Sequence, residues 1–219
     1  MLFRSAASGL LARFELRPPP LLAVLLPTLA LPIALARSRL GALLADHAPL
    51  AGLIGFQAFR LPLELVMHQA AVEGVMPPQM TFTGSNFDIV SGATALLVAL
   101  AVAGGYAPRW LIALWNALGS LLLLNILVIA LASLPQVAAF GSDPAHVNTW
   151  VAYFPYVWLP AGLVTSALFG HAVVWRKLAR VSEANLVKGW GPDGFAASNR
   201  ETRTVSRRPR GNGVRSPGN

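Results

Sequence analysis

Gln57, Arg60, Glu64 and His68 are spaced three, four and four residues apart in the stretch Leu50 to Val72, whose only other polar residue is Gln69. At 100° per residue the four occupy an arc of about 80°, one polar stripe down one face of a helix. Two kinds of chemistry fit such a stripe. Arg60 and Glu64, one turn apart, can pair and neutralise each other while Gln57 and His68 bond neighbouring helices, which is a packing role. Alternatively the stripe is one wall of a buried polar site or ion pathway, because an arginine at mid-membrane costs about 2.5–3.5 kcal/mol to insert and is kept for a partner or a task. Pro62 lies within the stripe and cannot donate to the carbonyl of Ala58, so a backbone acceptor is freed there, within reach of Arg60.

The segment Met80-Thr81-Phe82-Thr83-Gly84-Ser85-Asn86-Phe87-Asp88 follows and leads into the next apolar run. Asn86 or Asp88 at a helix start is first a capping residue, favoured by the exposed amide hydrogens and the helix dipole. His68, Glu64 and Asp88 approach one membrane face, so a ligand or ion site formed by Arg60, Glu64, His68, Asn86 and Asp88 is the functional alternative. In an enzyme the histidine and the carboxylates would transfer protons or hold a metal. Glu and His one turn apart fall well short of a metalloprotease motif, and no metal is assigned. Neither a phosphate loop, a dinucleotide fingerprint nor a nucleophile elbow occurs, and the cofactor is left open.

Elsewhere Asn116 and Asn125, nine residues apart, fall on opposite faces of one helix, where each is expected to bond a neighbouring helix. Gly162, Ser166 and Gly170 form a small-residue seam against which another helix, in this chain or in another membrane protein, can pack closely. His171, near the end of its apolar run, is expected to snorkel to the headgroups.

The elements that must carry these residues are membrane helices. The 219 residues are 55% hydrophobic and 12% charged, against about 25% charged in an ordinary soluble domain. Between Arg39 and Arg176 the only Lys or Arg residues are Arg60 and Arg109. The net charge of +8 is therefore terminal, and a lipid-bilayer partner, not nucleic acid, accounts for it. The chain has no Cys, which excludes disulfides and thiolate metal sites.

About 20 residues at 1.5 Å each cross about 30 Å of hydrocarbon. Five runs approach that length: Pro20 to Ala36, Leu50 to Val72, Phe87 to Gly105, Trp110 to Leu134 and Trp150 to Trp175. The expected fold is an all-α polytopic transmembrane bundle of about five spanning helices. It comprises a basic amphipathic N-terminal segment over 1–19, a membrane domain over 20–176 and a basic, disordered tail over 177–219. Arg37, Arg39, Arg109, Arg176 and Lys177 mark the cytoplasmic side of a bacterial inner membrane, and loops 73–86 and 135–149, which lack Lys and Arg, mark the periplasmic side.

Five crossings place the N-terminus outside, which puts Arg4, Arg13 and Arg17 on the disfavoured face. The alternative makes the proline-interrupted first segment re-entrant or interfacial and leaves four crossings. A cleaved signal ending at Ala34-Leu35-Ala36 would put the basic tail outside, against the charge pattern.

At Phe59-Arg60-Leu61-Pro62-Leu63-Glu64-Leu65 with His68, and at Met80-Thr81-Phe82-Thr83-Gly84-Ser85-Asn86-Phe87-Asp88-Ile89, the chain resembles a family of uncharacterised bacterial multi-pass integral membrane proteins. The resemblance spans roughly residues 50–175 and implies the membrane fold without supplying a reaction. The sequence thus points to a non-enzymatic membrane protein serving a small ligand, an ion or a membrane assembly, with an enzyme carrying a periplasm-facing His/carboxylate site as the rival.

Overall fold

A computed structural model describes residues 2–190, with side chains through residue 180. The chain divides into two compact units, residues 1–178 and 179–219; all contacts below lie in the first. Among the described residues the structure is helical, without strands. The short α1 (Leu2–Ala7) precedes α2 (Pro20–Arg37), α3 (Arg39–His47), α4 (Leu50–Phe56), α5 (Arg60–Val72), α6 (Asp88–Ala103), α7 (Arg109–Ala132) and α8 (Thr165–Trp190).

Among the described residues, three helices are long and apolar enough to cross a membrane: Pro20–Arg37, Leu50–Val72 and Arg109–Ala132. Their outward faces carry exposed leucines and valines, such as Leu26, Leu31, Leu121, Leu124 and Val128, where a soluble bundle would place charges. Buried polar residues, Gln57, Arg60, Glu64, Asp88 and Asn116 among them, lie inside.

Several boundaries depart from the sequence expectation. The residues between the first two spans form α3, whose N-cap Ser38 accepts at Oγ from Leu40 N–H at 3.2 Å, so that segment is not an open loop. The second span is interrupted: Gln57–Phe59 forms a 3₁₀ turn between α4 and α5. Pro62 supplies no N–H to the Ala58 carbonyl, and the Arg60 backbone N–H turns to Gln57 and Ala58 oxygens instead. The backbone of Arg60, not its guanidinium, answers the freed acceptor.

The run beginning at Trp150 is not one helix. It opens with a 3₁₀ turn, Trp150–Ala152, continues as a π-helical segment, Leu159–Val164, and becomes regular at α8, which continues to Trp190, past the expected start of the tail at 177. Residues beyond 190, the larger part of that tail, lie outside the described residues.

Side-chain contacts sort the first unit into two ends. At one, Arg176 Nη1 donates to Ala36 O at 2.6 Å and Ser38 O at 2.9 Å, Lys177 Nζ to Ala45 O at 2.7 Å and Arg109 Nη2 to Leu178 O at 3.0 Å. At the other, Phe3 stacks against Phe154 and Trp158, Gln136 Nε2 donates to Phe14 O at 2.9 Å, and Ala6 and Leu11 bury themselves with Leu21, Met76 and Trp150. Thus α2 begins at the end where the N-terminal segment packs and finishes at the end where the basic residues collect.

Candidate functional site

Arg60 is 1% exposed and is the hub of the interior. It lies ten residues into the second span, Leu50–Val72, roughly 15 Å along it and near mid-membrane if that span crosses. Each of its five N–H donors is met. Nε donates to Asp88 Oδ2 at 2.7 Å, and Nη2 forms an ion pair with Asp88 Oδ1 and reaches Gly119 O at 3.5 Å. Nη1 donates to Ser91 Oγ and to His171 Nε2, both at 2.9 Å. One side chain of α5 is thereby tied to α6, α7 and α8.

The partner of Arg60 is Asp88, not Glu64 as the helical spacing suggested. The physical reason is local. Asp88 is the first residue of α6, where unpaired amide hydrogens and the dipole already favour a carboxylate, and both its oxygens meet the fork of the guanidinium in two parallel contacts. Glu64 is buried and faces a different partner: Asn86 Nδ2 donates to its two oxygens at 2.9 and 3.0 Å. Asn86 also donates to Met80 O at 3.1 Å, and its Oδ1 accepts from the Asp88 N–H at 3.1 Å, so Asn86 pairs the first amide of α6 as well as holding Glu64, although the N-cap position itself is Phe87.

His171 does not snorkel. It is 1% exposed, and because arginine cannot accept, its Nε2 must be the acceptor of the Arg60 contact. The ring proton is then on Nδ1, which donates to Asn116 Oδ1 at 2.8 Å, while Asn116 Nδ2 returns to the His171 carbonyl at 3.1 Å. Asn116 bonds a neighbouring helix as expected, whereas Asn125 donates to Ser85 O at 2.8 Å, in the turn that precedes α6. Of the side chains that meet Arg60, Ser91 carried no signal in the sequence and His171 was expected at the headgroups. The one signal for His171 was position: His171 and Gly170 lie one turn beyond Ser166 and Ala167 on a helix that had to face Gln57 and Arg60.

His68 stands apart. It is partly exposed, stacks on Phe82 at 4.7 Å between ring centroids and contacts Thr83 Oγ1 through Nδ1 at 3.3 Å. His68, Glu64 and Asp88 therefore each have a separate partner, and among the described residues no group of three or more His, Asp or Glu side chains is placed to hold a metal. Gln57, the remaining member of the stripe, donates to Ala167 O at 3.0 Å.

Glycines let the four helices close on this cluster. A Cβ on Gly119 would stand 2.5 Å from His171 Cε1 and 2.8 Å from Ser91 Oγ; one on Gly92, 2.5 Å from Leu61 N; one on Gly170, 2.5 Å from Gln57 Nε2. Of the proposed seam, Gly170 is thus engaged within the chain, and the space beside Gly162 is filled by the Trp158 ring.

Beside the cluster lies a cavity of about 80 Å³, several times the roughly 10–15 Å³ that one water needs. Its apolar wall comes from α2 (Leu25, Leu29), α7 (Leu123, Ile126, Leu127, Leu131) and the π-helical segment (Leu159, Leu163); Arg60, Glu64, Asp88, Asn148 and Trp150 supply the polar part.

No family model, curated protein or solved structure matches the chain. What fold and site define is the class: an all-helical protein with helices apolar enough to span a membrane and a charged hydrogen-bond network buried among them.

Proposed function

We propose that this is a multi-pass protein of the bacterial inner membrane that, without catalysing a reaction, holds a small ligand in the cavity beside Arg60, Glu64 and Asp88. The observation that carries the reading is how the lining sorts by exposure. The five polar lining residues are all buried, whereas every partly exposed lining residue, including Leu29, Leu127, Leu131, Pro160 and Leu163, is apolar. Such a concave, mainly apolar site with a few convergent polar groups is the usual form of a small-molecule pocket.

Five crossings with the N-terminus outside and the C-terminus cytoplasmic fit this reading. Support comes from α2 joining the end that carries Arg176 and Lys177 to the end that carries Phe14 and Gln136. Exposed Trp110 and Trp175 flank the first end and Tyr153 and Trp158 the second, as interfacial aromatics do. The 16-residue α6 is about 24 Å long, short of the hydrocarbon thickness, a mismatch that local thinning accommodates. Of the Gly162, Ser166 and Gly170 seam, the partly exposed Ser166 is the position at which another membrane protein would make contact.

The enzymatic alternative draws on Glu64 alone, the one carboxyl of the stripe that lines the cavity without a cationic partner. It is the weaker reading, since Asp88 is held by Arg60 and His68 by Thr83 and Phe82.

The test is mass spectrometry of small molecules that co-purify with the protein in mild detergent. Leu127→Trp fills the cavity mouth, and Leu124→Trp adds the same ring to the exposed outer face of α7. A near-stoichiometric molecule retained by Leu124→Trp and lost from Leu127→Trp is expected. Equal recovery from both variants would overturn the reading.

A further inference from the structure

The helix α3, Arg39–His47, joins the finish of one span, Pro20–Arg37, to the start of the next, Leu50–Val72. Nine residues make it about 13 Å long, too short to cross, and it stays at the end of the bundle where those spans meet. Two successive residues of α8 hold it there: Arg176 Nη1 donates to Ser38 O and Lys177 Nζ to Ala45 O, near its opposite ends. Gly41 packs on the last turn of α2, where a Cβ would collide with the Ala36 carbonyl.

The remaining side chains sort around the helix axis. Gly41 and Ala45 are buried, whereas Leu40 and Leu43 are 48% and 55% exposed. At 100° per residue Leu40, Leu43 and Leu44 share an arc of about 100°, with His47 of the last turn among them; Arg39 and Asp46 follow on the flank beyond Leu43. Leucines on one flank and charges on the other form the pattern of a helix lying in the plane of a membrane surface. The exposed rings of Trp110 and Trp175 belong to the same end and mark the headgroup level.

We propose that α3 is an interfacial helix and that its turn with α2 binds an anionic phospholipid, the headgroup on Arg37 and Arg39 and an acyl chain along Leu40 and Leu43. Charge complementarity selects the headgroup. Arg37 and Arg39 are exposed on either side of Ser38, and neither forms a hydrogen bond or ion pair among the described residues. Arg176, engaged through Nη1 on Ala36 O and Ser38 O, brings a third guanidinium to the same turn. Asp46 is the only acid between residues 37 and 50. Guanidinium forks match the oxygens of a phosphodiester. A zwitterionic headgroup carries its own cation to the arginines, which an anionic one does not. A second copy of this chain would set Arg37 and Arg39 against themselves across a twofold contact, and free phosphate would leave the leucines bare. The inference is independent of the cavity and rests on the spans crossing a membrane.

The chain has no Cys, so single spin labels report without background on the full-length protein in nanodiscs of mixed phosphatidylglycerol and phosphatidylcholine. Leu43→Cys should be more accessible to oxygen than to a nickel chelate, as should Val66→Cys on the exposed face of α5, and Asp46→Cys the reverse. Equal chelate access at Leu43 and Asp46 would overturn the interfacial helix. A Leu43 label closed to both reagents would overturn the lipid in favour of a protein on this face. Chelate access at Val66 as well would overturn the membrane reading on which the inference rests. Spin-labelled phosphatidylglycerol should associate about tenfold more strongly than spin-labelled phosphatidylcholine, a preference expected to vanish in Arg37→Gln with Arg39→Gln. The charge-matched pair Arg207→Gln with Arg208→Gln, in the tail, should keep it. Equal loss from both pairs, or retention by both, would overturn the site. Displacement of phosphatidylglycerol by inorganic phosphate, beyond that by chloride at equal ionic strength, would overturn the lipid source.

Discussion

At the scale of single residues, the energetics turn on which acid answers Arg60. Removing one member of a buried pair leaves an uncompensated charge and costs about 3–5 kcal/mol, whereas removing both is far cheaper. Arg60→Met and Asp88→Leu should therefore each destabilise by about that amount, and the double variant should recover the larger part, because neither charge of the pair is then left buried without its partner. Arg60→Met with Glu64→Leu should recover nothing, since Asp88 would stay unpaired. Denaturation in detergent micelles reads the two pairings directly; greater recovery with Glu64→Leu than with Asp88→Leu would return the ion pair to its helical neighbour. The exposed Arg13–Glu15 contact at 3.1 Å is the control, and Arg13→Ala should leave stability unchanged, as solvent-screened pairs contribute little.

At the scale of elements, close approach of α5, α6, α7 and α8 depends on hydrogen atoms where side chains would otherwise stand. Gly119→Ala and Gly170→Ala each push a methyl to within 2.5 Å of a buried polar side chain, an overpacking expected to cost about 1–3 kcal/mol. Gly55 in α4 is different: its added methyl would meet Ala99 Cβ at 3.4 Å, an ordinary contact, and alanine there should be neutral or stabilising by up to about 1 kcal/mol through helix propensity. Melting temperatures of the three variants rank these cases. An equal effect at all three positions would show that helix propensity, and not the fit around His171 and Gln57, governs them. The 3₁₀ turn at Gln57–Phe59 belongs to this scale too, because the break created by Pro62 lies beside the residue that must aim at three helices.

For the whole molecule, the sorting of contacts into two ends yields a topology. Reporter fusions at residue 10 and near Pro144 should read periplasmic, and fusions in the 37–45 segment and after Lys188 cytoplasmic. Opposite readings at residue 10 and Pro144 would establish the four-crossing arrangement. The basic residues of the N-terminal segment then lie on the periplasmic side, held there by packing of Phe3, Ala6 and Leu11; the bias from Lys and Arg is a tendency that tertiary burial can oppose.

The helical class and the apolar runs were legible in the amino-acid order, because a membrane helix needs only length and composition to declare itself. The burial of Gln57, Arg60 and Glu64 on one face was legible from their spacing, although the 3₁₀ turn at Gln57–Phe59 interrupts the helix between the first of them and the other two. His68 followed the period yet is partly exposed, because the last turns of α5 meet the loop that carries Phe82 and Thr83 and not the start of α6. The partner of Arg60, the inward turn of His171 and the convergence of Asn148 and Trp150 on one cavity were decided only by tertiary structure. They join residues 28 to 111 positions apart or place a loop against a helix, and periodicity carries no information across such separations. Helical spacing proposed Glu64 because it counts neighbours along one helix; the folded chain chose Asp88 because the start of another helix already favoured its charge.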